Sequence, residues 1–442
     1  MLVLSFIFAL FFIAIIIFSF TKPKIAAALF TAYFLLVPII KLQLGNISIG
    51  EKFLYLILIL CFLIKYRNKF KYVNYTPFKP FIFLFIMNFI LIFIQDFMIF
   101  RASMERFFTT ILSSLLYPMV LYSILIIEKD AIKILLGVLV SCFIIIVGYG
   151  LFLTTMPGVN PYLMLSLPSF GMEFNEAYAL GYSALDTTTH MGTIDGRLFG
   201  RISSVFMHTM QYGLVLGLFF VLFIYLFRKS KIKLFISISL IVLAVLTSGS
   251  RTPIGALLVT VGVVVLLLNK IRYLVMFLLF ITLAIVILPL ISEEVSEYVF
   301  SIVNSNDNVK GSSLEMRIEQ LNACFDIIKY CFWEGKGYAW SYEYMSRFVV
   351  HPKLLCFESL LFVVLCNTGV LGVIVWGIFG ILYLKSITNV RDKAKQMLLL
   401  SLFIFYIAFS CITGEYNYMK YFMLFYVFAL GVSYSQSEDY RV

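Results

Sequence analysis

Long apolar runs separated by short polar linkers fill most of this chain. A helix needs about 20 mostly apolar residues to cross a hydrocarbon core. On that scale the pattern predicts membrane spans at 2–20, 25–40, 53–64, 81–98, 107–127, 132–154, 209–227, 232–248, 253–268, 273–291, 368–384, 396–413 and 421–434. Isolated Gly, Pro and Asn inside these runs are compatible with membrane helices. Residues 2–20 lack a basic start and a small-residue cleavage site, so they read as a span and not as a cleaved signal. Two linkers are much longer than the rest, at about 155–208 and 292–367. The predicted fold is therefore all-α: one polytopic transmembrane helix bundle over 1–442, of about 13 spans, with no internal repeat.

Composition agrees. Of the 442 residues, 62% are hydrophobic and 13% charged. Ordinary soluble domains hold roughly 45–50% apolar and about 25% charged residues, so a soluble globular protein and a disordered chain are both excluded. The net charge of +11 would suggest nucleic acid in a soluble protein. In a membrane protein its distribution sets orientation. The linkers after the odd-numbered spans carry 20 of the 34 Lys and Arg against five acids, a net +15, and the other side carries −4. The +15 side is then cytoplasmic, with the amino terminus outside and the carboxyl terminus inside. Both long linkers fall outside, so the chemistry is expected there, away from cytosolic nucleotides. No nucleic-acid partner is expected.

Most of the seven cysteines sit in apolar runs and read as small hydrophobic filler. Cys324 and Cys331 are too far apart on one helix for a direct bridge. There is no CxxC, HExxH, P-loop, GxGxxG or GxSxG pattern, so no metal or cofactor is expected.

The informative residues are polar groups near the outer ends of spans, since an ionisable group at membrane depth is a functional candidate. Arg201 lies in Gly200-Arg201-Ile202-Ser203-Ser204, just before a span, and reads either as an interfacial anchor or as an anion contact. Arg251 lies in the turn Thr247-Ser248-Gly249-Ser250-Arg251-Thr252-Pro253, where Ser250 or Thr252 can cap the next helix and Pro253 suits its first turn. It can snorkel to the interface or clamp a lipid phosphate. Ser312-Ser313-Leu314-Glu315 reads as a capping box for an amphipathic helix over about 313–332, with Leu314, Ile318, Leu321, Phe325 and Ile328 on its apolar face and Gly335 and Gly337 ending it. Arg317 near the start of that helix opposes the helix dipole, which points to a salt bridge with Glu315 or Glu319, or to a bound anion. His351, followed by Pro352, is a loop histidine or a proton acceptor. Glu358 is a rival base.

These pieces, in order and on one side, resemble the O-antigen ligase and polymerase superfamily of bacterial membrane glycosyltransferases. The resemblance rests on the Arg-containing stretch 200–208, Thr-x-x-Ser-Arg at 247–251, and the helix with Arg317 closed by Trp333-Glu334-Gly335-Lys336-Gly337-Tyr338. It is completed by His351 and the run ending Asn367-Thr368-Gly369-Val370-Leu371-Gly372. It covers about 195–375. Two positions depart from the family pattern: Thr252 follows the Ser-Arg pair where Gly is usual, and Pro352 follows the histidine where Asn is frequent.

The resemblance implies transfer of a glycan from an undecaprenyl diphosphate carrier on the outer leaflet of the bacterial cytoplasmic membrane. The acceptor is the next lipid-linked repeat unit in a polymerase and lipid A-core in a ligase. It further implies inverting, metal-independent chemistry, no cofactor, membrane lipids as surroundings, and chain-length regulators or flippases as protein partners. Arg251, Arg317 and Arg201 are then the diphosphate contacts, since pre-placed guanidinium groups stabilise the charge that builds on the leaving group. His351 or Glu358 is the base. A flippase or other transporter would share the span count, but would be expected to show a two-fold repeat and midplane charges.

The topology is testable by labelling. A cysteine replacing Lys310 is expected to react with an impermeant maleimide on intact cells, and one replacing Ser230 only after permeabilisation; the opposite pattern would overturn the orientation.

Overall fold

The computed structural model describes residues 2–37, 42–44, 47–49, 51–95, 99–128, 130–155, 160–162, 202–206, 208–267, 275, 314–345, 350–351, 354, 356–415 and 417–438. Its helices are α1 (Leu2–Thr21), α2 (Pro23–Leu36), α3 (Glu51–Lys65), α4 (Lys79–Ile94), α5 (Phe100–Ile127), α6 (Ala131–Thr155), α7 (Thr209–Leu226), α8 (Lys231–Thr247), α9 (Arg251–Leu267), α10 (Leu314–Ile328), α11 (Leu360–Thr388), α12 (Lys393–Thr413) and α13 (Met419–Glu438). A π-turn at Leu112–Leu116 interrupts α5. Each predicted apolar run coincides with a helix except 273–291, which apart from Val275 lies outside the described residues.

Among the described residues, six helices are long and apolar enough to cross a membrane: Thr76–Ile94, α5, α6, α7, α11 and α12. The expected count of about 13 full spans is therefore not reproduced. Several predicted runs form shorter apolar helices: Pro23–Leu36, at 14 residues, rises only about 21 Å at 1.5 Å per residue, short of a core about 30 Å thick. The all-α expectation has one exception among the described residues, an antiparallel hairpin of β1 (Leu42–Leu44) and β2 (Ile47–Ile49) with Gln43 opposite Ser48.

Small residues set the packing at the centre of the bundle. Pro253 of α9 occupies the space where Gly213 would carry a side chain, and the Phe405 ring of α12 lies where Gly217 would carry one. Such close approach is how helices associate where lipid offers no hydrophobic drive. Around α13 an aromatic cluster of Phe81, Phe379, Tyr383, Phe403, Phe422 and Tyr426 fills the interior, with Tyr383 and Phe403 stacked at 4.1 Å between centroids. The outward surface is apolar too: Leu60, Ile64, Ile86, Ile90, Ile232 and Phe235 are exposed, as expected where lipid is the solvent.

The feature that organises this end of the bundle is a break in α11. Gly369 has φ 64° and ψ −164° inside an otherwise helical run. In an unbroken helix Val370 and Leu371 would donate to the carbonyls of Cys366 and Asn367. Here Val370 N–H donates instead to Phe332 O (3.1 Å) and Leu371 N–H to Trp333 O (3.2 Å), while Lys336 N–H donates to Cys366 O (2.8 Å) and Gly337 N–H to Asn367 O (2.9 Å). The four groups freed by the break are all re-paired by one segment, Phe332–Gly337, of the loop before α11. Gln95, just past α4, locks the joint: its Nε2 donates to Glu334 O (2.8 Å) and Asn367 O (2.9 Å), and its Oε1 accepts from Tyr338 N–H (2.7 Å). Ser103 Oγ of α5 donates to Tyr338 O at 2.8 Å.

The two backbones meet at Gly335 (φ 72°) and Gly369, with the Trp333 carbonyl where a Gly369 side chain would sit. Gly335 and Gly337 are therefore docking residues and not the end of the loop helix, which stops at Ile328. The docked face of α10 also differs from the predicted one. Gln320, Ala323, Cys324 and Ile328 are buried, whereas Ile318 and Phe325 are exposed. The polar contacts of Arg317 and Gln320 turn the helix away from its most apolar stripe. The capping-box residues Ser312 and Ser313 lie outside the described residues.

Gly369→Ala adds a side chain in a left-handed conformation against a carbonyl. It is expected to cost more than about 2 kcal/mol, read as a lowered thermal midpoint of the solubilised protein. A wild-type melt would contradict this account of the joint.

Candidate functional site

Of the arginines singled out by sequence, Arg317 reaches the carboxyl end of α12, and Arg251 opens α9, a helix that packs against α12. Arg317 of α10 is partly buried; it donates through Nη1 to Glu358 O, through Nη2 to Ile412 O (2.6 Å), and pairs with Glu358 Oε2 at 3.2 Å. It thus ties α10 to the lead-in of α11 and to the last turn of α12. Glu358 is a partner that local spacing did not suggest. Glu358 N–H donates in turn to Gln320 Oε1 at 2.8 Å.

Arg251 opens α9 after a turn in which Gly249 takes φ 59° and Ser248 Oγ donates to Val245 O at 2.7 Å. Pro253 stands within the first turn, as its fixed φ favours. Arg251 is half-buried, at a helix amino end where positive charge is disfavoured by the dipole. One turn on, the Gly255 backbone faces Ile412 Cδ1, 3.5 Å from where a side-chain carbon would stand. The turn of α12 that accepts from Arg317 is thus also packed against α9, one turn beyond Arg251.

His351 lies in the loop before α11, partly exposed, and its Nδ1 accepts from Leu354 N–H at 3.2 Å. In that arrangement a neutral ring carries its proton on Nε2. Arg201 lies outside the described residues. Beside it, Ser204 takes φ 52°, its Oγ donates to Ile146 O (2.7 Å), and its carbonyl accepts from Asn160 Nδ2 (2.8 Å).

A second constellation was not anticipated. Between α4, α5, α11 and the α12–α13 turn lies a crevice of about 680 Å³ including its open mouth. Arg106 of α5 and Glu415 of the turn line it together with Asn88, Asn367, Tyr342 and Trp376. The Arg106 guanidinium lies over the Tyr342 ring, 4.8 Å from its centroid, and the Tyr342 hydroxyl donates to Glu415 O at 2.9 Å. Glu415 Oε1 accepts from Met419 N–H (2.8 Å) and from the Tyr406 hydroxyl (3.4 Å), and Oε2 from Asn417 N–H (3.4 Å). Burial pushes its carboxyl above the usual carboxylate range, against the lowering pull of those N–H groups and of Arg106.

The crevice adjoins the Arg317 contact. Glu415 follows Ile412, which accepts from Arg317, and Leu360, on the crevice wall, follows Glu358. The rule that flagged Arg251 applies equally to Arg106 and Glu415, which stand at the ends of apolar runs. Their convergence depends on the three-dimensional path. A further charged pair, Lys420 with Glu51 at 2.9 Å, is mostly buried and braces the start of α3 against α13, with the Tyr55 hydroxyl donating to Glu51 at 2.9 Å.

Among the described residues no group of His, Cys, Asp and Glu is placed to hold a metal ion, and all seven cysteines are free. No curated protein and no solved structure matches the chain. Residues 236–377 match the family model described as O-Antigen ligase, a segment that holds Arg251, Arg317, His351, Glu358 and the Gly369 break and excludes Arg106 and Glu415. Over those residues, fewer than half of the chain, the sequence is similar to the O-antigen ligase family.

Proposed function

We propose that this chain is a polymerase of lipid-linked oligosaccharide repeat units of the O-antigen or capsule type. It transfers glycan from an undecaprenyl diphosphate carrier to the next lipid-linked unit, at the outer face of the bacterial cytoplasmic membrane. The observation that carries the reading is the Arg317 contact at the last turn of α12, with Arg251 opening α9 packed against the same helix, both within the segment matched to the family. The amino terminus faces outward and the carboxyl terminus the cytoplasm, in keeping with the +15 and −4 division of charge. Its partners are the lipid-linked oligosaccharide, membrane lipids and, in the cell, chain-length regulators or flippases.

Breaking the bond between sugar and diphosphate leaves negative charge on the carrier. Arg251 meets that charge directly in a site where water is scarce, and a guanidinium there is worth most. Arg317, already tied to Glu358 and Ile412, holds the loop helix in place and adds its charge. Arg201 is the third candidate contact. His351 takes the proton of the attacking hydroxyl through Nε2, after exchanging tautomer and releasing Leu354 N–H. Glu358, engaged by Arg317, is the alternative base. The inverting, metal-independent course follows from the same reading: arginines do the work a cation would do.

The ligase reading is favoured by the description of the matching family, and the two differ in the acceptor alone. Deletion in the native host separates them. A lost polymerase leaves single-repeat, core-attached glycan; a lost ligase leaves polymer on the carrier lipid. A build-up of unflipped precursor would favour a transporter instead.

Arg251→Ala is expected to abolish chain extension while the protein still inserts, and Arg317→Lys, which keeps the charge but loses the fork, to reduce it about tenfold or more. Full-length polymer from both variants on a surface-polysaccharide gel would contradict the assignment. His351→Ala is expected to slow turnover about a hundredfold or more with the lipid carrier still bound; unchanged transfer rates would move the base role to Glu358.

A further inference from the structure

The crevice beside the Arg317 contact has a composition that the diphosphate chemistry does not require. Among the described residues, the Arg106 guanidinium makes no ion pair and donates no hydrogen bond; its contact is the face of the Tyr342 ring. Facing the same space is Glu415, whose carboxylate accepts from the backbone N–H groups of Met419 and Asn417 and from the Tyr406 phenol. Two amides are half-used. Asn88 Nδ2 donates to Leu84 O at 2.9 Å, leaving its Oδ1 open to the crevice as an acceptor. Asn367 Oδ1 accepts from Ser341 N–H at 2.9 Å, leaving its Nδ2 as a donor. Those bonds fix the orientation of both amides.

The crevice therefore offers donors, at Arg106 and Asn367, and acceptors, at Asn88 and Glu415, around one space. An anion would satisfy the donors and be repelled by Glu415. A sugar hydroxyl donates and accepts at once, so a ring bearing several hydroxyls satisfies both sets. The guanidinium and the carboxylate also balance in charge, which suits a neutral polyol over a diphosphate. Aromatic rings at Tyr342 and Trp376 supply the apolar surface that a sugar ring covers.

We infer that this crevice is the acceptor subsite, holding a sugar ring of the incoming glycan by its hydroxyls between Arg106, Glu415 and the side-chain amides of Asn88 and Asn367. The inference rests on the glycan-transfer reading above and assigns its second substrate a place. The α12 turn from Ile412 to Glu415 then stands between the two substrates, with the Arg317 contact at one end and the subsite at the other. Arg106 and Glu415 are binding residues here, outside the segment matched to the family.

Trp376 lines the crevice and is one of only three tryptophans, so it reports occupancy. The test is a fluorescence titration of the full-length protein in nanodiscs, with the repeat-unit oligosaccharide freed from its carrier as probe. A saturable change that Trp376→Phe removes is expected in the wild type. Arg106→Ala is expected to weaken binding about tenfold or more, and Arg106→Lys about threefold. Inorganic diphosphate at the same concentration is expected not to displace the saccharide. Should Arg106→Ala fail to fold, the lysine variant carries the test. Wild-type affinity in every Arg106 variant that folds would overturn the subsite, as would displacement by inorganic diphosphate. The outcome is separable from the polymerase reading. Saccharide binding by a protein that extends no chains would keep the subsite and refute the polymerase, and chain extension with unaltered saccharide affinity in the Arg106 variants would do the reverse.

Discussion

A helix broken inside an apolar bundle must find new partners for the backbone groups it frees, and one end of this bundle follows from how α11 meets that demand. The break at Gly369 releases two N–H groups and two carbonyls, and the Phe332–Gly337 segment takes up all four. Each such group left unpaired at membrane depth would cost several kcal/mol, so the loop is bound to the helix by necessity and not by its exposed apolar residues. Gln95 and Ser103 extend the joint to α4 and α5.

Docking the loop fixes what lies on either side of it in sequence. Upstream, α10 is held so that Arg317 reaches Glu358 and Ile412. Downstream, Tyr338 and Tyr342 are carried over α5, where Tyr342 covers Arg106 and donates to the backbone of Glu415. One backbone irregularity thus sets both the Arg317 contact at the end of α12 and a polar crevice near it. Both are built from charged side chains in a region where the dielectric is low, so each charge acts strongly on what binds there.

Much of this was legible in the sequence because membrane insertion leaves a strong periodic trace. The apolar runs predicted the helices, and the turn before α9 and the Arg317 helix were recognisable from local chemistry. The failures have physical causes. Short runs such as Pro23–Leu36 are apolar enough to look like spans, but the helix ends at Leu36, with Val37 already out of helical geometry. The buried stripe of α10 is set by polar anchors, Arg317 and Gln320, so its most hydrophobic side was the wrong guide. Glycines 335 and 337 read as helix terminators because a sequence carries no sign that another backbone passes against them. Arg106 and Glu415 lie more than 300 residues apart, and only the bundle brings them to one crevice.

The central claim is that this single chain extends a lipid-linked glycan at its outer-facing arginine site. The most direct measurement uses the full-length protein reconstituted in liposomes, supplied with undecaprenyl diphosphate-linked repeat units alone and with a chelator present. The account predicts a ladder of carrier-linked oligomers with release of one undecaprenyl diphosphate per unit added, and none from Arg251→Ala. Repeat units that remain single in the presence of folded wild-type protein would contradict it.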